Sequence, residues 1–232
     1  MPGLFISATD TGIGKTFIGC AIARTLTASG QPVRVVKPAE SGCLPGADGQ
    51  RQPADALALR EAAGNRQTLD AVCPHRFAAA LAPPEAARLE RRALPMADLV
   101  AACQPALESG EFTLVEGAGG VYSPIADDAL NLDLARALDL PVLLVAADRL
   151  GTQSVTLSAA ENILRHGVHL AGIVLNLRPE DRVTEDIPQN AAALHHWLPR
   201  LVGRSVPVIR AGSEGFETAP DWGEQVRELT GG

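Results

Sequence analysis

One short segment near the start of the chain, Ala8-Thr9-Asp10-Thr11-Gly12-Ile13-Gly14-Lys15-Thr16, limits the possible folds more than any other feature. An apolar run, Gly3-Leu4-Phe5-Ile6-Ser7-Ala8, leads into it, and Ile18, Ile22, Ala23 and Leu26 recur behind it at helical spacing. Strand, loop of small residues, helix: this order points backbone N–H groups at an anion near the helix start. Lys15 then reaches the β- and γ-phosphates of a nucleotide, and the Thr16 hydroxyl sits on Mg²⁺. The common pattern wants Gly six residues before the lysine, where this chain has Thr9, so the loop is a variant P-loop.

The rest of the chain continues the alternation. Gly30 stops the first helix, and Val33-Arg34-Val35-Val36 reads as a strand. Further strands are expected at 112–115, 142–146, 170–175 and within 201–209, with helices near 131–138, 152–166 and 188–198. Segment 43–53 reads as a loop, and Pro83, Pro84, Pro95 and Pro105 as breaks between short helices. The fold class is α/β: a single P-loop NTPase-like domain over residues 1–232, with a mainly parallel sheet and helices on both faces.

Composition narrows the chemistry. Only Lys15 and Lys37 are lysines among 20 basic residues, so a site that keeps lysine calls for a compact ammonium rather than a planar fork. Lys37 opens Lys37-Pro38-Ala39-Glu40-Ser41-Gly42 just after the second strand, where ligands of open parallel sheets bind. Glu116-Gly117-Ala118-Gly119-Gly120 ends another strand, and an acid there can hold Mg²⁺ while the glycines admit a close neighbour. Asp55 reads equally as a second Mg²⁺ carboxylate or a helix cap. Asn176, after a strand, is placed to read an adenine edge, and Leu150-Gly151-Thr152-Gln153-Ser154 opens a helix whose N–H groups suit a carboxylate.

Other classes are disfavoured. The net charge of −7 and 3% aromatics offer nucleic acid neither a basic field nor stacking platforms. No stretch reaches the roughly 18 apolar residues of a membrane span, and the first residues do not read as a signal peptide, so a cytoplasmic protein is expected. Cys20, Cys43, Cys73 and Cys103 lack metal-ligand spacing and are expected to be reduced thiols.

Taken together, Thr9-Asp10-Thr11 with Gly14-Lys15-Thr16, Lys37-Pro38 with Ser41-Gly42, Asp55-Ala56-Leu57 and Glu116–Gly120 resemble the dethiobiotin synthetase family, in order and at near-family spacing. The resemblance implies an ATP- and Mg²⁺-dependent ligase of biotin biosynthesis. It would join 7,8-diaminononanoate and CO₂ into the cyclic urea dethiobiotin, through a carbamate and a carbamic-phosphoric anhydride. It implies Lys37 and Lys15 as catalytic residues and Thr16, Asp55 and Glu116 on the metal. Nucleotide contacts would come from Gly12, Ile13, Gly14, Lys15, Thr16, Phe17, Asp55, Glu116, Gly117, Ala118, Gly119, Asn176, Pro207, Val208, Ile209 and Glu214. Substrate contacts would come from Thr11, Ser41, Pro83, Gly151, Thr152, Gln153 and Ser154, the last four from the neighbouring subunit of a homodimer. This chain departs from the family pattern at Gly12-Ile13 for a usual Glu, at Ala8 for Gly, at Glu40 for a small or neutral residue, at Pro83-Pro84 for Pro-His and at Thr152–Ser154. The competing readings are a cobyrinate-type P-loop amide ligase, for whose glutaminase domain 232 residues leave no room, and a partition or switch ATPase. The latter expects a second early lysine in the loop, where this chain has Thr9, Asp10 and Thr11.

Overall fold

The central strands are buried along their whole length because helices cover both of their faces. The computed structural model describes residues 3–47, 49–178 and 189–211, together with Val226. In chain order its first elements are β1 (Gly3–Ala8), α1 (Lys15–Ala28), β2 (Val33–Val36), β3 (Ala39–Glu40), β4 (Leu44–Pro45) and β5 (Arg51–Gln52). Then come α2 (Ala54–Ala62), α3 (Leu69–Val72), β6 (His75–Arg76), α4 (Pro83–Leu89), α5 (Met96–Leu107) and β7 (Phe112–Glu116). The remainder is β8 (Pro124–Ala126), β9 (Ala129–Leu130), α6 (Asn131–Ala137), β10 (Val142–Ala147), α7 (Thr152–Arg165), β11 (Leu170–Asn176), α8 (Asn190–Val202) and β12 (Val208–Ala211).

Six strands pair in parallel in the order β12-β11-β10-β1-β7-β2. Side chains alternate across the pleat. Phe5, Val115 and Leu144 face a core layer shared with Leu99 of α5, Leu134 of α6, Ile163 of α7 and Leu194 of α8. Leu4, Ile6, Leu114 and Val145 face the opposite layer, with Ile18 and Ile22 of α1 and Leu59 of α2. The first strand is therefore clamped in the middle of the sheet, which holds the loop at its carboxyl end. The outer edge of β2 is closed by Gln67, whose side chain imitates a strand. Its Oε1 accepts from Val35 N at 2.8 Å and its Nε2 donates to Val35 O at 3.1 Å.

The structure corrects several sequence expectations. The final strand, Val208–Ala211, overlaps only the end of 201–209 and runs past it, because residues up to Val202 complete the amphipathic helix α8. Segment 43–53 holds a small antiparallel pair, Leu44↔Gln52 and Pro45↔Arg51, rather than only loop. Pro83 and Pro84 start α4, where a proline's missing N–H is harmless, and Pro105 lies inside α5 near its last turn without ending it. The four cysteines are buried and free. Among the described residues, no helix is long and apolar enough to cross a membrane.

Candidate active site

The P-loop joins the buried end of β1 to α1, and its last glycine shapes the turn. Gly14 caps α1 with φ +97, and a Cβ there would also collide with the Asn176 amide, so glycine is required twice over. No side chain caps this helix start, so its first N–H groups are not taken up by a local cap. Asn176 Nδ2 donates to Ile13 O at 2.9 Å and an Arg178 nitrogen to Gly12 O at 2.6 Å, tying the end of β11 to the loop.

Thr11, Gly12, Gly14, Lys15, Thr16, Lys37, Glu40, Ser41, Asp55, Ala118 and Gly119 line one cavity of about 390 Å³. Four segments converge here because β1, β7 and β2 are adjacent and all end on the same side of the sheet. Lys37 is the centre of the polar cluster. Its Nζ donates to Glu116 Oε1 at 2.5 Å, to Asp55 Oδ2 at 3.0 Å and to Gly117 O at 3.3 Å. The Thr16 hydroxyl also donates to Glu116 Oε1, at 2.9 Å. The glycine after Glu116 allows this packing, since a Cβ on Gly117 would run into Asn131 Oδ1 and the Phe5 ring. Asn131 braces the loop, accepting from Ala118 N at 2.9 Å and donating to Ala118 O at 2.6 Å.

The electrostatics separate the two lysines. Burial lowers the Lys15 pKa to about 8, helped by the like charge of Lys37 and opposed by Glu116 and Asp55. Burial also acts to lower Lys37, but Glu116 and Asp55 outweigh it and hold its ammonium above the usual lysine range. Burial would raise Asp55, and the charge and hydrogen bond of Lys37 instead pull it below the usual carboxylate range. Glu40 is pushed upward by burial, with Lys37 and the backbone donors of α2 opposing.

Magnesium can be tested against this donor set. Glu116 Oε2 is buried with no hydrogen-bond partner, although it belongs to a carboxylate. Glu40 and Asp55 line the cavity with Lys15 and Lys37, and Glu116 Oε1 lies 2.5 Å from Lys37 Nζ, so three carboxylates stand against two ammoniums, an arrangement suited to anionic phosphates only with a further cation. Thr16, Asp55 and Glu116 are hard oxygen donors, and Mg²⁺ commonly uses one or two carboxylates and keeps several waters. The residues fit the ion.

The other expected site residues lie elsewhere. The Ile13 side chain is in the core, leaving only its backbone to the loop, and Phe17 is 43% exposed on the first turn of α1. Pro83 starts α4, and the preceding segment reaches Gly42, whose N–H donates to Ala79 O at 3.0 Å. Pro207 O accepts from Ile173 N at 2.9 Å, and Val208 and Ile209 open β12, one strand beyond Asn176. Glu214 lies outside the described residues. Gly151, Thr152, Gln153 and Ser154 begin α7 and do not line the cavity. Thr152 is buried against Thr156, and Gln153 donates to Asn190 Oδ1 at 3.1 Å.

A family model described as "AAA domain" matches residues 2–210. The ATP-dependent dethiobiotin synthetase BioD of Anaeromyxobacter dehalogenans is 44% identical over 217 residues, covering 88% of this chain and 94% of that protein. The chain belongs to the ATP-dependent dethiobiotin synthetase family. A second relative of the same name, from Rhodopirellula baltica, is 37% identical over 245 residues, covering 98% of this chain and 94% of its own. Among solved structures, the MinD cell division protein of Aquifex aeolicus superposes with a TM-score of 0.55 at 12% identity, covering 99% of this chain and 87% of that one. The septum site-determining protein MinD complexed with Mg-ADP, from Pyrococcus horikoshii OT3, has a TM-score of 0.53 at 17% identity, covering 98% and 94%. Those likenesses concern the P-loop fold alone.

Sequence reasoning missed three buried polar residues that tie distant segments of this dethiobiotin synthetase together. Asp148 is fully buried at the end of β10, where Arg210 donates to it at 2.7 and 2.9 Å and Asn190 at 2.8 Å. Glu40 was visible only as a departure from the family, and Asn131 carried no signal at all. Each acts through partners 13 to 62 positions away, beyond the reach of any local motif.

Proposed function

We propose that this chain makes dethiobiotin from 7,8-diaminononanoate, CO₂ and ATP, with the cavity at the P-loop as its active site. The observation that carries the reading is Lys37, buried between Glu116 and Asp55 at the mouth of the loop that holds Lys15 and Thr16. The P-loop N–H groups and Lys15 would hold the β- and γ-phosphates. An oxygen of the substrate carbamate attacks the γ-phosphorus, the bond to ADP breaks, and a carbamic-phosphoric anhydride results. The second amine then attacks the carbonyl carbon, phosphate departs with its oxygen, and loss of the amine proton leaves the cyclic urea. Lys37 and Lys15 face the charge that develops on the transferring phosphoryl group, already in place before the reaction begins. Thr16, Asp55 and Glu116 would hold Mg²⁺, which supplies neutralising charge to the phosphates. Ser41 and Thr11, on the cavity wall, would orient the substrate. Asn176, Pro207, Val208, Ile209 and Glu214 are assigned to the nucleoside end.

The active site is shared between two copies of the chain in this reading. Gly151–Ser154 stand outside the cavity of their own chain, next to Leu150, which is 99% exposed, and Val155, which is 51% exposed. A helix start in that position suits the tail carboxylate of a substrate held by a partner subunit. The reaction is placed in the cytoplasm. Measuring ATP hydrolysis with and without diaminononanoate and bicarbonate tests the function; turnover that ignores either compound refutes it.

A further inference from the structure

We infer that Glu40 is a positioning residue whose carboxylate tethers the first turn of α2 and so sets Asp55 against Lys37 and the metal-binding oxygens. The helix needs such a tether. Its N-cap is Pro53, which has no side-chain acceptor, so the first N–H groups of α2 receive no local cap. Glu40 supplies the missing acceptors from 15 residues away. Its Oε1 accepts from Asp55 N at 3.0 Å and its Oε2 from Ala56 N at 2.9 Å. Those are the second and third N–H groups of the helix, the ones an N-cap side chain would normally take.

The consequence reaches the site because one of the tethered residues is Asp55 itself. Glu40 stands three positions after Lys37, on β3, which pairs in parallel with β6. Lys37 Nζ in turn holds Asp55 Oδ2 at 3.0 Å. The backbone and the side chain of Asp55 are thus fastened to the same short segment, 37–40, at two points. Glu40 is 6% exposed and lines a cavity meant for anionic phosphates, a poor location for a carboxylate with no structural task. A cap alone could be provided locally by serine or aspartate at position 53. A cap from β3 also fixes where the helix sits.

The inference rests on the reading of Asp55 as a magnesium ligand, and the test separates the two. ATP binding is measured by calorimetry over a series of Mg²⁺ concentrations, without diaminononanoate, alongside thermal unfolding. In Glu40→Gln one amide face opposes a backbone donor, and the Mg²⁺ midpoint should rise about 10- to 100-fold, the scale of losing a supporting partner of a metal ligand. Glu40→Asp, which keeps the charge but is shorter, should fall between. Adding Pro53→Ser to Glu40→Gln should restore thermal stability but leave the midpoint raised, because a local cap does not anchor the helix to β3. An unchanged midpoint in Glu40→Gln, with Asp55→Asn clearly shifted, overturns the tether. A midpoint fully restored by Pro53→Ser also overturns it, reducing Glu40 to a cap. An unshifted Asp55→Asn overturns the metal assignment, and the inference falls with it.

Discussion

Replacing Lys37 by Met removes the ammonium while keeping much of the length of the side chain, and its two expected effects are separable. The Lys37 side chain is 4% exposed and that of Glu116 is 1% exposed, so the variant leaves a buried carboxylate with its main partner gone. Breaking a buried pair on one side costs about 3–5 kcal/mol. Asp55, 45% exposed at its side chain, adds little because water screens it. At roughly 2–4 °C per kcal/mol for a chain of this size, the melting temperature should drop by about 6–20 °C. The drop should shrink as pH falls, since the orphaned carboxylates are discharged by protonation. Turnover should fall about 10²- to 10³-fold, the usual effect of losing one donor to developing charge. Lys37→Arg should also be slow, because a planar fork does not fit between Glu116 and Asp55 as a point charge does. Calorimetric melting at several pH values and single-turnover ATP cleavage below the melting temperature measure both. A melting loss of under about 2 °C, or the same loss at every pH, would refute the buried-pair argument. Near-normal turnover in Lys37→Arg would refute the argument from lysine geometry.

Lys15, with its pKa lowered from 10.5 to about 8, should give two opposite pH trends. ATP affinity should weaken as pH rises past about 8, as the ammonium discharges, whereas folding stability should rise between about 8 and 10.5, because the folded state binds that proton more weakly than the unfolded chain. An ATP dissociation constant flat to pH 10 contradicts this. Glu116→Gln and Asp55→Asn should each raise the Mg²⁺ needed for half-maximal rate, one of them dominating; metal titrations unchanged in both would remove the assignment. Gly151→Asp should raise the KM for diaminononanoate with little effect on ATP. Mixed with Lys37→Ala chains, it should regain part of the activity through hybrid dimers. Hybrids proven to form but inactive would place the tail carboxylate within one chain.

Some of this protein is written in short stretches of sequence. A buried parallel strand needs only a run such as Leu4–Ala8, and a P-loop needs only small residues, Lys15 and Thr16 between that run and an amphipathic helix. Both are local, so the α/β class, the six main strands and the loop were legible from spacing. Lys37 and Glu116 were legible too, because residues at carboxyl ends of parallel strands converge whatever the details of packing. Errors fell where local rules compete: Val202 packs with Leu194 and Leu198 on the apolar face of α8 and carries the helix past 200, and Pro105 sits in a helix that its neighbours hold together.

Tertiary structure alone decided who meets whom. No spacing rule links Glu40 to the start of α2, Gln67 to the edge of β2, or Asn131 to the loop at Ala118. The same is true of the ambiguity at Asp55, which is both a first-turn residue of α2 and a partner of Lys37. The separation of Gly151–Ser154 from the cavity likewise follows from how α7 packs, not from its composition. The physical reason is range. Backbone propensity and hydrophobic period act over a few residues, whereas a buried polar group finds its partner wherever the chain's crossovers bring one within hydrogen-bonding distance.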